Sequence, residues 1–402
     1  MADAGTIDLT RSEVIQDPHP TFREMRARAP LIWNASIGGW VVTRFDDVRR
    51  VLRDPRFSVE KLKPFVAHAS GGRRQGAEIL GHVLGRWMVF SDPPQHTRLR
   101  AALKAAFMPR AIAAMAPRVE AQVGRLLDGI APRGRMEVIR DFAYPLPARV
   151  ICDLCGVPLA DVENLQDWTN DLGKFVLGAR QTPDRHSRAA VATGHLLDYF
   201  RDLVADHRAR PRDDVTSILI AAELDEDEIL ATLCLLLFAG LETTTGLIAN
   251  GVLQLIRNPD QLGRLQAEPD LIDSAVEEFL RYEGPVQALA RIAIEPVEIA
   301  GQALPAGARV YCIVNAANRD EAAYTEPERL DIGRERNRHL SFGQGIHLCL
   351  GAPLARLEAR IAFRRLLERF AGFELEIEAP VWRDDFISRG MIELPIRFRP
   401  RA

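Results

Sequence analysis

The sequence predicts a mainly α-helical fold with a minor antiparallel β region, built as a single large domain over residues 1–402. Three observations carry that expectation. Helical hydrophobic periodicity dominates about 93–283 and returns over 339–371, whereas strand-like runs are short and cluster near 40–43, 297–314 and 392–398. The stretch from about Asp225 to Arg257 is apolar nearly all round between Leu233 and Ala239, the pattern of a helix buried through the centre of a molecule. No repeat, low-complexity tract or linker divides the 402 residues, although length alone would allow two or three domains.

Taken in chain order, Trp40 to Thr43 reads as a first short strand. Pro93 and Pro94 stand where a helix starts, and Leu99, Leu103 and Phe107 then recur at helical spacing. Asp161, Val162, Leu165 and Trp168 open a helix after Pro158, and Leu196 to Arg208 reads as a third. The longest helix places Asp225, Glu226, Asp227 and Glu228 at its positive end, and Pro259 closes it. Midway it carries Thr243, Thr244, Thr245 and Gly246, which weaken a helix locally. Val297 to Ile299, Arg309 to Val314 and Ile392 to Phe398 read as strands, with a turn at Leu304-Pro305-Ala306-Gly307.

Hydrophobic residues make up 47% and charged residues 27%, which excludes a disordered or fibrous chain. Fifty-two Lys and Arg against 55 Asp and Glu leave a net charge of -3. Bulk binding to nucleic acid or to a membrane surface has no support from that balance. Met1 to Thr10 lacks an apolar core of signal-peptide length, and Ile229 to Ala239 is far short of the ~20 residues that cross a bilayer. Five cysteines form no disulfide framework, so a cytoplasmic setting is expected.

The chemistry concentrates in Ser341-Phe342-Gly343-Gln344-Gly345-Ile346-His347-Leu348-Cys349-Leu350-Gly351. Glycines four and six residues before one cysteine let the backbone turn tightly and aim amide hydrogens inward. A helical pattern starts at Ala352-Pro353-Leu354, so the sulfur lies near a helix amino terminus, which favours a thiolate. A single cradled thiolate suits one axial bond to haem iron and not zinc, which takes four ligands.

Here the sequence resembles the cytochrome P450 family, whose loop reads Phe-Gly-x-Gly-x-His-x-Cys-x-Gly; all six specified positions match, from Phe342 to Gly351. Three further constellations extend the resemblance over almost the whole chain. Ala239-Gly240-Leu241-Glu242-Thr243 matches the family's Ala-Gly-x-Asp/Glu-Thr, with Glu where Asp is common. Glu278-Phe279-Leu280-Arg281 matches Glu-x-x-Arg, with Arg329 in Pro327-Glu328-Arg329-Leu330 at the later network position. Asp92-Pro93-Pro94-Gln95-His96-Thr97-Arg98-Leu99-Arg100 matches Asp-Pro-Pro-x-His-Thr-x-x-Arg, and the Asn318-Arg319-Asp320 stretch also fits.

The resemblance implies the following roles. Cys349 is the axial ligand of haem b. His96, Arg100, Ala239, Arg291, Phe342, Gly343, His347 and Gly351 contact the cofactor, the two His and two Arg through its propionates. Thr243 holds the distal oxygen's hydrogen bond, with Glu242 relaying protons, while Glu278, Arg281 and Arg329 form a structural network. The activity implied is a soluble, bacterial-type monooxygenase, a monomer that hydroxylates a largely apolar small molecule. It uses dioxygen and two electrons from a ferredoxin-type donor with its reductase.

The pocket wall is expected from Arg86 to Phe90, Leu235 to Ala239, Pro285 to Ala290 and Phe386 to Met391, with Trp87, Phe90, Leu236, Ala239, Val286, Leu289 and Ile387 as substrate contacts. Lys61, Lys63 or Arg86 could fix a carboxylate. Arg356, Arg360 and Arg364, four apart on one helix face behind the cysteine, form either a donor-docking patch or a solvated face. Cys152-Asp153-Leu154-Cys155 has redox-motif spacing but lies in an apolar helical pattern and reads as core, as do Cys234 and Cys312. The same haem site could also desaturate or couple substrates, or serve a binder or sensor without turnover.

Overall fold

The computed structural model describes residues 7–60, 74–179 and 182–401. Among these the helices dominate, as expected. The central one, Glu226–Arg257, has 32 residues and spans about 48 Å at 1.5 Å per residue. Asp225 caps it: its carboxylate accepts from Glu228 N at 2.8 Å while the Glu228 side chain accepts from Asp225 N at 3.2 Å. That reciprocal pair is worth roughly 1 kcal/mol. By length and composition this helix could cross a membrane, but most of it is buried inside the protein. Thr243 to Gly246 do not interrupt it. Thr243 Oγ1 instead donates back to Ala239 O at 2.9 Å, which satisfies the hydroxyl without breaking the ladder.

Helices Pro145–Cys155, Ile272–Glu283 and Ala352–Arg369 pack around this axis. A Cβ on Gly240 would lie 2.9 Å from the Ile151 side chain, so the glycine sets how closely the first of them approaches. The proline-led helix runs from Gln95 to Leu103, with Phe107 buried beyond its end. The helix after Pro158 covers Val162–Val176. The third expected helix begins at Arg185 rather than Leu196 and ends at Ala209. Its first turns bury Ala189, Ala190 and Ala192, and small residues leave no large apolar period to read.

Ten strands among the described residues form three sheets: β1 (Leu31–Asn34), β2 (Gly39–Val42), β3 (Phe57–Ser58), β4 (Arg135–Glu137), β5 (Ala288–Ala293), β6 (Val297–Ile299), β7 (Gln302–Leu304), β8 (Arg309–Ile313), β9 (Phe370–Leu375) and β10 (Pro395–Pro400). The orders are β1-β2-β8-β5-β3, β4-β10-β9 and β6-β7. Most pairs are antiparallel, but β2 and β8 run parallel, Trp40 opposite Val310. Val314 starts a short helix instead of ending β8. The last strand starts at Pro395 and not Ile392, because Leu394 N is drawn to the Glu137 carboxylate at 2.7 Å and Ile392 N to Val381 O. Leu289 and Arg291, two apart on β5, share one face and enter the same cavity.

Candidate active site

The central helix forms one wall of an apolar cavity. Leu235, Leu236, Ala239, Gly240, Thr243, Thr244 and Leu247 line it from the helix, and Pro285, Val286, Leu289 and Arg291 from β5 and its lead-in. The Cys349 loop lies on another wall.

Gly343 and Gly345 both take φ of 71°, a left-handed conformation that side chains resist. These turns let Gly343 N bond Leu340 O at 2.8 Å and Cys349 N bond Phe342 O at 2.9 Å. The loop is fixed from beneath: Ser341 Oγ donates to Leu280 O at 2.6 Å, and Asn318 Nδ2 donates to Ser341 Oγ at 2.8 Å. Cys349 is thereby left exposed to the cavity rather than packed. Burial inside the protein still pushes its thiol up, while the N–H groups of Gly351 and Ala352 and the charges of Arg100 and Arg356 pull it down. A metal cation at the sulfur would settle that balance for the thiolate.

His96, Arg100, Arg291 and His347 cluster at the cavity edge. The His96 and His347 rings lie 4.3 Å apart, and both nitrogens of buried His96 lack a hydrogen-bond partner. Burial, reinforced by His96 and Arg291, lowers His347 to about 4. Buried Arg291 makes a bond to Ala290 O, and burial lowers its guanidinium as well. Among the described lining residues the only carboxyl is Glu358, whose Oε2 is buried and unpartnered; burial pushes it well above the usual range, so it is neutral. Orphaned donors of this kind are costly without an anion. A haem fits both demands, since its propionates answer the cations and its iron answers the sulfur.

Glu242 and Thr243 face different cavities. Thr243 lines the chamber of Cys349, and Glu242 lines a second, polar vestibule of about 1900 Å³ that also contains Tyr144, Asn170, Thr245, Arg383 and Asp385. Glu242 Oε2 accepts from Arg383 Nη1 at 2.9 Å. Neither Arg383 nor Asp385 was expected from the sequence. The charged run Arg383-Asp384-Asp385 within an otherwise apolar neighbourhood was the signal available.

Several expectations need correction, among them the wall segment from Phe386 to Met391, none of which lines the chamber. Arg329 does not supply the third side chain of the buried network. It points outward, 3.4 Å from Glu326, and only its carbonyl accepts from Arg281. The cation that reaches Glu278 besides Arg281 is Arg334, at 3.2 Å, with Asn337 Nδ2 and Asp331 N completing the carboxylate's partners. In irregular backbone, spacing does not tell which of two arginines turns inward. Trp87 does not touch the chamber; it is fully buried in a stack between Phe90 and Phe238 at 5.8 and 5.3 Å. The 3₁₀ turn Met88–Phe90 presents Met88 and Val89 to the chamber instead, leaving Phe90 against Trp87. Ile387 packs away with Leu9 and Phe22, its carbonyl held by the N–H groups of Gln287 and Ala288.

Leu236, Ala239, Val286 and Leu289 do line the chamber. Arg86 does not; it donates to His82 O and lies 3.8 Å from Asp227. Lys61 and Lys63 fall outside the described residues. Cys152, Cys155, Cys234 and Cys312 are buried, and burial raises Cys152, Cys234 and Cys312 to about 12, as inert core thiols. On the helix that follows the cysteine, Arg356 is paired with Glu277 and Arg360 with Asp273, whereas exposed Arg364 has no acidic partner among the described residues.

The chain is 38% identical to a biotin biosynthesis cytochrome P450 of Bacillus subtilis (strain 168), with 96% of this chain and 98% of the relative aligned. It is 36% identical to 6-deoxyerythronolide B hydroxylase of Saccharopolyspora erythraea, covering 97% and 98% of the two chains. Its fold superposes with a TM-score of 0.91 on the solved structure of P450BioI in complex with acyl carrier protein ligated to hexadec-9Z-enoic acid, at 37% identity and covering 96% and 99%. The family model for cytochrome P450 matches residues 41–386, and with the thiol, chamber and cation cluster in place the chain belongs to the cytochrome P450 family of haem-thiolate monooxygenases.

Proposed function

We propose that the protein hydroxylates a largely apolar small organic molecule in the chamber above Cys349, using dioxygen, haem b and electrons from a ferredoxin-type donor with its reductase, as a cytoplasmic monomer. The observation that carries this reading is that Cys349 and Thr243, from a loop and from the central helix, line one apolar chamber. The haem, when bound, would supply dioxygen activation. Cys349, held by the loop's backbone bonds, would be its ligand, and His96, Arg100, Arg291 and His347 would take its propionates.

The chain's own part is to exclude water, hold the substrate and move protons. Met88, Val89, Leu235, Leu236, Val286 and Leu289 are the side chains that desolvate a substrate, and they offer it shape rather than charge. Thr243 Oγ1 holds a proton on the chamber side. To serve it, Glu242 leaves Arg383 and turns across the helix, carrying a proton from the vestibule. The acyl-ligated relative makes a long alkyl chain a sensible first probe, and hexadec-9Z-enoic acid is the compound to try. An acidic electron donor meets the face behind the cysteine, with Arg364 as its free cation. Charge reversal at Arg364 that leaves reduction rates and their salt dependence unchanged would remove this docking face.

The test is the absorption difference spectrum of the reduced protein with and without carbon monoxide. A strongly red-shifted Soret band is expected from a thiolate-bound haem. A globin-like band would mean that Cys349 is not the ligand, and no haem uptake at all would overturn the reading.

A further inference from the structure

The polar vestibule on the far side of the central helix contains a three-member charge cluster that the haem site does not explain. Arg383 stands between two carboxylates. Its Nη1 donates to Glu242 Oε2 at 2.9 Å, whereas its Nε lies 3.4 Å from Asp385 Oδ2 without forming a hydrogen bond. The guanidinium is thus bonded to one acid and poised beside the other. Its backbone is held by Arg383 N donating to Gly390 O at 2.9 Å, and its guanidinium packs against Gly390, where a Cβ would sit 2.5 Å from Nη2. Asp385 is buried and takes a bond from Ser388 Oγ at 2.9 Å. Thr245 Oγ1 and the Tyr144 hydroxyl, on the same vestibule, are buried without partners.

We propose that Arg383 and Asp385 form a latch on Glu242: the guanidinium holds the Glu242 carboxylate in the vestibule, and the charge on Asp385 decides how firmly. This deepens the proton-delivery role given to Glu242 and rests on it. With Asp385 neutral, the Arg383 charge is committed to Glu242, which stays turned away from Thr243. With Asp385 ionised, the two acids compete for one cation and Glu242 is released to carry its proton across the helix. Burial raises Asp385 to about 6, against the pull of Arg383 and the Ser388 bond, with Glu242 and Asp384 adding repulsion. The other titratable side chains lining this vestibule are Glu137, Arg140, Tyr144, Lys174 and Asp384, whereas Thr10, Ser12 and Gln16, from the amino-terminal segment packed over this side, carry no charge. The switch therefore falls where a small change of pH alters proton supply.

Two measurements test the latch. In haem-free protein, infrared titration of carboxyl groups should show one carboxylic acid lost near pH 6. That transition should be absent in Asp385→Asn and moved to higher pH in Arg383→Gln, which keeps the side chain but not the charge. In haem-loaded enzyme supplied with a ferredoxin and its reductase but no substrate, dioxygen is reduced to peroxide by two electrons and two protons, or to two waters by four of each. The fraction released as peroxide should fall several-fold from pH 5 to pH 7 in the wild type. It should stay at the high, low-pH level in Asp385→Asn and at the low level throughout in Arg383→Gln. A wild-type pH step retained unchanged in Asp385→Asn, or no infrared transition near pH 6, overturns the latch. Thr243→Ala and Glu242→Gln separate the two readings: no change in the peroxide fraction for either sinks the proton-delivery role itself, and the infrared titration still judges the pairing of Asp385 with Arg383.

Discussion

Glu242 and Thr243 are neighbours on one helix turn yet line two separate cavities: Glu242 is bound to Arg383 in the polar vestibule, and Thr243 lines the apolar chamber with its hydroxyl bonded to Ala239 O. The helix itself is the partition between the polar vestibule and the apolar chamber. Any proton that reaches the chamber by this route crosses at this pair of residues. Separation of this kind keeps water from the reacting centre while leaving one controlled path through the wall.

Thr243→Ala should leave the Glu242–Arg383 pair intact and remove the hydroxyl on the chamber side. With a compound that changes the haem spin state, product formed per electron should fall by about tenfold or more, with peroxide making up the difference. Simultaneous assay of donor oxidation, product and peroxide checks this. Unchanged coupling would mean that protons reach the chamber another way.

The buried network gives a prediction about stability instead. Glu278 accepts bonds from Arg281 at 2.7 Å, from Arg334, from Asn337 and from Asp331 N, all around a carboxylate with no exposed surface. Glu278→Ala would leave two guanidinium groups uncompensated and should cost about 3–5 kcal/mol in denaturant unfolding. Arg334→Ala should share much of that loss. Arg329→Ala, whose side chain is exposed and whose contribution is a carbonyl, should stay within about 0.5 kcal/mol. Equal effects for Arg329 and Arg334 would restore the arginine expected from the sequence.

What the sequence made legible follows from what each feature depends on. The Cys349 loop and the helix from Asp225 were readable because each is local: glycine spacing dictates the turn, and continuous apolar character dictates burial. Leu236 could be placed because it sits on the long central helix, whose apolar pattern is regular; Val286 lies in the irregular lead-in to β5, where no period points to it. Trp87 was misplaced since a 3₁₀ turn, and not an α-helix, sets its direction. Arg334 and Arg383 were missed because they reach their acids from irregular segments 56 and 141 residues away in the chain. No period or motif encodes such a meeting; only the folded path of the loop decides it.

Glu277 links the stability of the loop's support to acid. Its carboxylate accepts from Arg356 Nε and Nη2 at 2.7 and 2.8 Å, and lies 3.1 Å from His339 Nε2. Burial pushes this carboxyl up, but the Arg356 and His339 bonds outweigh it and bring it from 4.5 down to about 2. A lowered acid stabilises the fold fully above its unfolded value and loses that contribution as pH falls toward its folded value. The loss should therefore run from about pH 4.5 to pH 2 and amount to on the order of 3 kcal/mol. Arg356 also lies over the Phe342 ring at 4.5 Å, so the pair holds the cysteine loop from behind. In Glu277→Gln the pH dependence of unfolding across that window should flatten; an unaltered slope would assign acid sensitivity to other carboxyls.

Gly240 tests whether the central helix is positioned by packing. Alanine there gains about 1 kcal/mol of helix propensity over glycine. Its Cβ, however, would meet Ile151 Cγ1 and Cδ1 at 2.9 Å, closer than carbon atoms approach without displacement. Overpacking of that kind costs about 1–3 kcal/mol, so the net effect of Gly240→Ala should be a loss of roughly 1 kcal/mol. Ile151→Ala alone should cost about 2–5 kcal/mol through the space it opens. In the double variant the added methyl enters that space, and the cycle should return a favourable coupling of about 1–2 kcal/mol. Because Ala239 and Thr243 ride on the same helix, Gly240→Ala should also shift them in the chamber and weaken ligand-induced spin-state changes, and Ile151→Ala should restore them. Additive losses with no coupling would show that the helix accommodates the methyl by moving elsewhere, and that Gly240 does not set the distance between Thr243 and the wall of Cys349.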